Sequence, residues 1–474
     1  MTHAKFKWLI VSVYFGGRGL LATLFDTAVF ARLKTQYSVS GTDFQKYCTV
    51  AMLPWSLKPL FGLLSDRIAL FGYHKRPYII MVALAGATSS VALAVVNVSL
   101  SVATTVFCVF VVSLQLAVTD LLSESEYAKV IVLNPTLSAA IISGVWICIF
   151  TGQIVGASVA GLLVFKHINT MFWCAVPLCV QIAMPAIAGC YDDKRSNTAV
   201  HDPKLVRVAF AIAVSACALG LTTLYCGWQA RILLCVVSSV ALLLVAIKSL
   251  PKITARCNMF LFLMCILNVQ IPGALDYWYT ADYSCIPNGA NFQLSFFILV
   301  TGVAGAAAGA LSVVLFKYTS INQWQFKTMF CVATLLRCTA SLVDVAMVNR
   351  WNVRMGIPDK PFFIVGKAVL QPIVMMLEQS PAVLLTSKLC TKDNESTIYA
   401  ILAGFQNYGA AVSVVIGTVL ADLFQVHLSS TRCTVEYLPH LIAVANIVLP
   451  MLCIPMAIAF VPNGSTTTPG ALLK

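Results

Sequence analysis

Twelve runs of about 20 apolar residues, set between short polar turns, constrain this chain more than any other feature of it. They fall at roughly 8–30, 44–65, 77–97, 101–122, 137–165, 170–190, 258–280, 292–316, 325–348, 362–388, 396–425 and 437–461. Two more, near 205–226 and 231–249, lie between the sixth and the seventh. Each is long enough to cross a bilayer, and inside lipid only a helix or a closed barrel satisfies its own backbone. Charged residues make up 10% of the chain and hydrophobic ones 59%, where a soluble domain is about a quarter charged. The chain therefore reads as an all-α integral membrane protein with 12–14 transmembrane helices. The higher number holds if the central pair crosses, the lower if that pair lies on the surface.

The basic residues set the orientation. With the N-terminus cytoplasmic, eighteen of the 31 Lys and Arg fall in inner loops and tails, nine outside and four within helices. Short loops rich in Lys and Arg stay on the cytoplasmic side, so both termini are expected inside. The loop 349–361, with Arg350, Arg354 and Lys360, is the contrary case. The net charge of +13 is then mostly inner-leaflet charge and calls for no nucleic-acid partner. Lys5 and Lys7 precede the first apolar run as in a signal peptide, but Arg18 interrupts that run and no clear small-x-small site follows. The first helix is expected to be retained. Most of the seventeen cysteines fall inside helices, where Cys is a small hydrophobe. Cys285 and Cys433 both fall in outer loops, where one bridge and two free thiols fit equally. No CxxC occurs and the six histidines lack metal-ligand spacing, so no metal or cofactor is expected. No nucleophile–base set is visible, which argues against an enzyme.

The strong runs form two sets of six around a polar linker that starts at Tyr191-Asp192-Asp193-Lys194-Arg195. This gives an N-terminal six-helix bundle over 1–190, a linker with two extra helices over 191–256 and a C-terminal six-helix bundle over 257–474. The two sets echo each other. Residues 120–165 give an acidic helix end, a polar loop with Pro135 and a helix with Gly152, Gly156 and Gly161. Residues 378–425 give Glu378, a polar loop with Lys392 and Asp393, and a helix with Gly404, Gly409 and Gly417. Internal repeats of this kind build a midplane site in transporters. Gly152-x-x-x-Gly156 and Gly305-x-x-x-Gly309 allow helices to approach closely. Pro372 and Pro381 either free carbonyls beside a cavity or make a packing kink.

The join between the second and third runs is charged. It reads Pro54-Trp55-Ser56-Leu57-Lys58-Pro59-Leu60-Phe61-Gly62-Leu63-Leu64-Ser65-Asp66-Arg67, then Gly72-Tyr73-His74-Lys75-Arg76-Pro77-Tyr78. A helix-terminal Asp facing bases makes a latch that opens and closes. This join resembles the motif between helices two and three of the major facilitator superfamily. The fuller string, Trp55 to Tyr78, is similar to the folate–biopterin transporter family within it. Asp120-Leu121-Leu122-Ser123-Glu124-Ser125-Glu126-Tyr127-Ala128 resembles that family's fourth-helix exit. Residues 275–282 with Cys285 and Pro287, and 383–390 with 404–407, resemble its kinetoplastid branch. The resemblance implies a major-facilitator-type fold and proton-coupled import of pteridines such as biopterin and/or folates by alternating access. Its partners would be that substrate, a proton and the lipid bilayer, and its default place the plasma membrane. Oligomeric state is left open.

Ionisable residues inside a bilayer cost about 2.5–3.5 kcal/mol each. Those retained within the runs are the site candidates: Arg18, Lys58, Arg337, Lys367, Asp26, Asp120, Asp276, Asp344, Glu378 and Asp422. At about 100° per residue, Arg337 shares a face with Asp344, and Lys367 with Glu378. The first pair reads equally as a structural ion pair or a functional one. Lys58, Gly62 and Asp66 form a stripe toward the basic loop and belong with the gate. Asp120 and Glu124 straddle the inner end of the fourth run, where they either clasp Lys75 and Arg76 or supply a titrating acid. Arg18 and Asp26 lie about 80° apart, too far to pair but both able to line a cavity. Asp276 and Asp422 sit near outer ends, where solvation is the plain reading. Trp278 and Tyr279 read as interfacial anchors.

A pterin's donor-rich edge suits a carboxylate and its face suits aromatic rings, while folate's glutamate tail wants Arg or Lys. The substrate-binding candidates are thus Arg18, Asp26, Trp55, Arg337, Lys367, Glu378 and Phe405. The gate candidates are Lys58, Gly62, Asp66, Arg67, Lys75, Arg76, Asp120 and Glu124. No Walker A loop appears, so ATP drive is not expected. A proton carried by Asp26, Asp120, Glu378 or Asp344 is the expected energy source. Two other readings stand beside this one. Some members of the kinetoplastid branch carry S-adenosylmethionine, a cation that favours acids and aromatics over bases. A membrane sensor that binds ligand and moves nothing is the alternative of a different class.

Overall fold

The apolar runs are helices. The computed structural model describes residues 3–96, 101–133, 138–164, 167–191, 203–319, 323–389, 395–429 and 432–465. Pro135, the linker stretch 192–202 and the loop with Lys392 and Asp393 lie outside the described residues. In chain order the N-terminal helices are α1 (Ala4–Gln36), α2 (Gly41–Ser56), α3 (Lys58–Arg67), α4 (Arg76–Val95), α5 (Val102–Leu133), α6 (Ser138–Leu163) and α7 (Ile168–Ile187). A central pair follows, α8 (Pro203–Tyr225) and α9 (Trp228–Ser249). The C-terminal helices are α10 (Lys252–Leu267), α11 (Pro272–Tyr279), α12 (Leu294–Phe316), α13 (Phe326–Val348), α14 (Asp359–Leu389), α15 (Glu395–Leu423) and α16 (Leu438–Phe460). Among the described residues twelve single helices are long and apolar enough to cross a bilayer, and the pair α10–α11, bent by 40°, makes a thirteenth. The second apolar run is the pair α2–α3, broken at Leu57 between Pro54 and Pro59. Proline there removes backbone donors and clashes with the turn before it.

Two helices outrun their expected ends. α1 continues through Gln36, which takes Arg32 into the core, where it is fully buried. Its guanidinium donates to Leu93 O at 2.7 Å and Asn169 Oδ1 at 2.5 Å, and lies 4.3 Å from the Phe172 ring centre. α5 runs to Leu133, so Asp120 and Glu124 sit inside it rather than at its end. Among the described residues five stretches carry wide helical turns with i→i+5 hydrogen bonds: Val11–Leu21, Arg32–Gln36, Val300–Ala304, Ile364–Leu370 and Val444–Val448. Such turns gather at functional sites. Arg18 and Lys367 both sit on them.

α1 packs on α6, α4 on α5 and α7, and α2 on α5. α12 and α13 pack on α14, and α10 on α15 and α16. The two sets meet along α2–α15 and α6–α12. The α1–α6 contact needs glycine: a Cβ on Gly19 would come within 2.5 Å of Ile149 O and 2.7 Å of Gly152 Cα. The α8–α9 pair lies against α2 and α15. There Leu53 covers Gly220, Ile212 lies over Gly404, and Ser238 Oγ and Tyr408 Oη share a hydrogen bond of 2.6 Å.

One end of the bundle carries the Cys285–Cys433 disulfide, with its Cα atoms 5.5 Å apart, so these two are bridged rather than free thiols. It joins the loop after α11 to a small antiparallel hairpin, β1 (His427–Leu428) and β2 (Cys433–Thr434). Trp278 and Tyr279 are buried beneath this loop rather than anchored at an interface. The α11 bend turns them inward, where Tyr279 stacks on Phe292.

Candidate functional site

Between the two sets lies a cavity of about 550 Å³. α1 presents one helical stripe to it: Thr23, Asp26, Thr27, Phe30 and Leu33. α12 presents the facing one, with Phe297, Ile298, Thr301, Gly302, Gly305 and Ala306. Phe44, Tyr47 and Cys48 of α2, Ser113 of α5, Gln153 of α6, Asp276 of α11 and Met375 of α14 complete much of the wall. Asp26 is exposed, yet it lies deep in the bundle, so the surface it shows is cavity wall. It makes no hydrogen bond or ion pair among the described residues. Asp276 is not simply solvated: its Oδ1 lies 3.8 Å from Lys367 Nζ. Asp422, the other acid read that way, lies 4.0 Å from Arg231 Nη1.

Toward the end that carries the 67–75 loop, four charges meet. Lys58 Nζ donates to Asp120 Oδ2 at 2.5 Å and Glu124 Oε2 at 3.2 Å. Arg18 Nε stands 3.8 Å from Asp120 Oδ1, and its guanidinium lies 4.2 Å from the centre of the Trp55 ring. Lys58 therefore faces a buried acid pair rather than the surface latch. Asp120 and Glu124 clasp Lys58 and not Lys75. Helix phase explains this, because Glu126 lies about 200° around α5 from Glu124 and meets the start of α4 instead. There Lys75 Nζ donates to Glu126 Oε1 and Ser125 Oγ, both at 2.5 Å. Burial holds the Lys75 ammonium below the usual lysine range against the pull of Glu126. Arg76 lies 5.0 Å from the Tyr73 ring centre and Arg67 is exposed. Asp66 is partly buried beside it on α3. Gly62 faces Leu121 and Ala400 with room for a methyl group, at 3.7 and 4.0 Å.

The C-terminal charges pair across helices. Arg337 donates to Glu378 Oε2 through Nε at 2.9 Å and through Nη2 as well. Asn268 Nδ2 donates to Glu378 Oε1 at 2.8 Å. Asp344 accepts from Tyr279 Oη at 2.6 Å and Gln371 Nε2 at 2.5 Å. Thus neither same-helix pair forms: Arg337 meets Glu378 rather than Asp344, and Lys367 meets Asp276 rather than Glu378. Phe405 is fully buried against Phe262, away from the cavity, and Trp55 lies beneath the Arg18–Lys58 cluster.

At the disulfide end the sets are tied together. Lys34 Nζ donates to Thr280 O at 2.7 Å and to Thr280 Oγ1. Gln45 Nε2 donates to Gln270 O at 2.8 Å and Val414 O at 2.9 Å, while the Gly273 N–H donates to Gln45 Oε1 at 3.1 Å. Neutral residues such as Gln45, Tyr47, Gln153 and Thr301 escaped the charge-based reading. Helical spacing marks Thr301 with Gly305 on α12 and Tyr47 with Phe44 and Ala51 on α2, whereas Gln45 carries no such signal.

Two sets of membrane-length helices around a central, partly charged cavity define the class: this is an all-α, multi-pass membrane protein. Its shape is similar to a POT family transporter, PepTSo, with a TM-score of 0.66 at 13% identity over 97% of this chain and 99% of that one. A D-xylose-proton symporter gives 0.61 at 12% identity, covering 98% and 100% of the two chains. Residues 18–467 match the BT1 family, and the chain belongs to it. Its relatives include "Probable folate-biopterin transporter 2" of Arabidopsis thaliana, 24% identical over 98% of this chain and 84% of that one. "Folate-biopterin transporter" of Synechocystis sp. is 23% identical, over 87% and 74%.

Proposed function

We propose that this chain imports pteridines, biopterin and/or folates, as a proton-coupled secondary transporter working by alternating access. Its family supports the substrate class. The observation that carries the reading further is Asp26: a carboxylate without a direct partner, facing a cavity between two helix sets, one turn from Phe30. A pterin's amino and ring N–H donors pair with one carboxylate, and its face lies on a ring. The halves 1–190 and 257–474 rock about that cavity, with 191–256 between them. The disulfide end faces the oxidising exterior and the basic-loop end the cytoplasm, with both termini cytoplasmic in the plasma membrane.

Asp344 and Glu378 are each held by two residues, and Asp120 by Lys58 and Arg18, so the proton falls to Glu124, which meets Lys58 alone at 3.2 Å. There one ammonium serves two carboxylates, and protonating one relieves the other. The Lys58–Asp120–Glu124 and Lys75–Glu126 contacts form the inner gate, and the ties at Lys34 and Gln45 the outer one. An acid-lined cavity also favours a cation such as S-adenosylmethionine, and competition against labelled biopterin separates the two cargoes. The test is uptake of labelled biopterin and folate into liposomes holding the purified chain, with an inward proton gradient. Accumulation that a protonophore abolishes is expected. Binding without accumulation would establish a sensor, and uptake indifferent to the gradient would remove the coupling.

A further inference from the structure

We infer that the cavity selects a pterin without an anionic tail over folate, and that Asp26 sets this choice. The inference rests on the transport reading above and narrows it. Among the described residues the cavity wall holds two carboxylates and no Lys, Arg or His. Asp276 is answered by Lys367 at 3.8 Å, whereas Asp26 has no partner in contact. Arg18 and Lys58 face Asp120, Arg337 faces Glu378 and Lys367 faces Asp276, while Lys34, 5.9 Å from the Phe30 ring centre, donates to Thr280 and lies outside the wall. A dianion entering this space meets a bare like charge in mostly apolar surroundings, which disfavours it strongly.

An uncharged pterin meets the reverse. Its donor edge satisfies Asp26, and Phe30 stands one helical turn further along the same stripe. Phe44 packs edge-on to Phe30 with centroids 5.2 Å apart, so the two rings make a corner rather than a flat wall. A flat bicycle fits against one ring while its edge reaches the carboxylate. Folate carries the same bicycle, so the discrimination comes from the tail alone.

The experiment is competition against labelled biopterin uptake in liposomes holding the full chain. Unlabelled folate is expected to compete at least about tenfold more weakly than unlabelled biopterin. Asp26→Asn is expected to raise the KM for biopterin at least about tenfold and to narrow the gap between the two competitors, because it removes the charge that both attracts the edge and repels the tail. Asp26→Glu should keep the preference. Equilibrium dialysis of labelled biopterin and folate against the detergent-solubilised wild-type and variant proteins, with thermal unfolding alongside, reads the same ratios where a variant does not transport. Folate competing within about threefold of biopterin would overturn the inference. So would an unchanged KM and ratio in folded Asp26→Asn. If folded wild-type protein binds neither ligand, the transport reading falls as well; if it binds folate more tightly, only this inference falls.

Discussion

Replacing Lys58 with Met removes the ammonium from between two buried carboxylates while keeping most of the side chain's bulk. The Lys58 and Asp120 side chains are 4% and 6% exposed, and that of Glu124 16%. At an effective dielectric of about 20 the two contacts are worth roughly 7 and 5 kcal/mol gross. Most of that offsets the dehydration of three ions. What the substitution exposes is the remainder: two acids left with Arg18, 3.8 Å from one of them. Breaking a buried pair from one side costs about 3–5 kcal/mol, or roughly two to three and a half powers of ten in the unfolding equilibrium. Adding Asp120→Asn removes the orphaned charge, and the double variant should recover about half of the loss. Equilibrium unfolding in mixed detergent micelles measures all three proteins. The reasoning fails if Lys58→Met lies within about 1 kcal/mol of the natural protein, or if the double variant is no more stable than the single one.

Two glycines should behave oppositely. Gly19→Val places carbon against the backbone of α6 and should sharply lower the yield of folded protein, whereas Gly62→Ala finds ordinary contacts and should stay within about 0.5 kcal/mol; size-exclusion yield and thermal unfolding check both. Cys285→Ser with Cys433→Ser should cost about 2–4 kcal/mol, read by denaturation with and without a reductant. Tyr408→Phe breaks the hydrogen bond to Ser238 and should cost about 0.5–1.5 kcal/mol, read the same way.

The helices were legible because bilayer thickness sets their length and hydropathy marks them directly. The charged residues were legible as important, because lipid penalises them wherever they stand. Their partners were not. Arg337 and Asp344 share a face, but seven residues of helix separate them by about 10.5 Å, beyond the reach of an ion pair. Partners come from other helices, and Arg337 reaches Glu378 only because α13 packs on α14. The same limit hid Lys367–Asp276 and sent Lys58 to α5. Arg32 lies just past the apolar run near 8–30, and nothing in the hydropathy marks it as buried, because the helix outlasts the run. Asn169 and the Leu93 carbonyl, which make its burial affordable, lie on distant parts of the chain.

The α8–α9 hairpin has a consequence for the cavity's access to lipid. It lies along the flank where α2 meets α15, gripping Tyr408 through Ser238 on one side and laying Gly220 under Leu53 on the other. On that flank the slit is roofed with protein, so a molecule held inside has no sideways door into oil. Were the two walls to part along that flank, the roof would have to travel with one of them or peel from both.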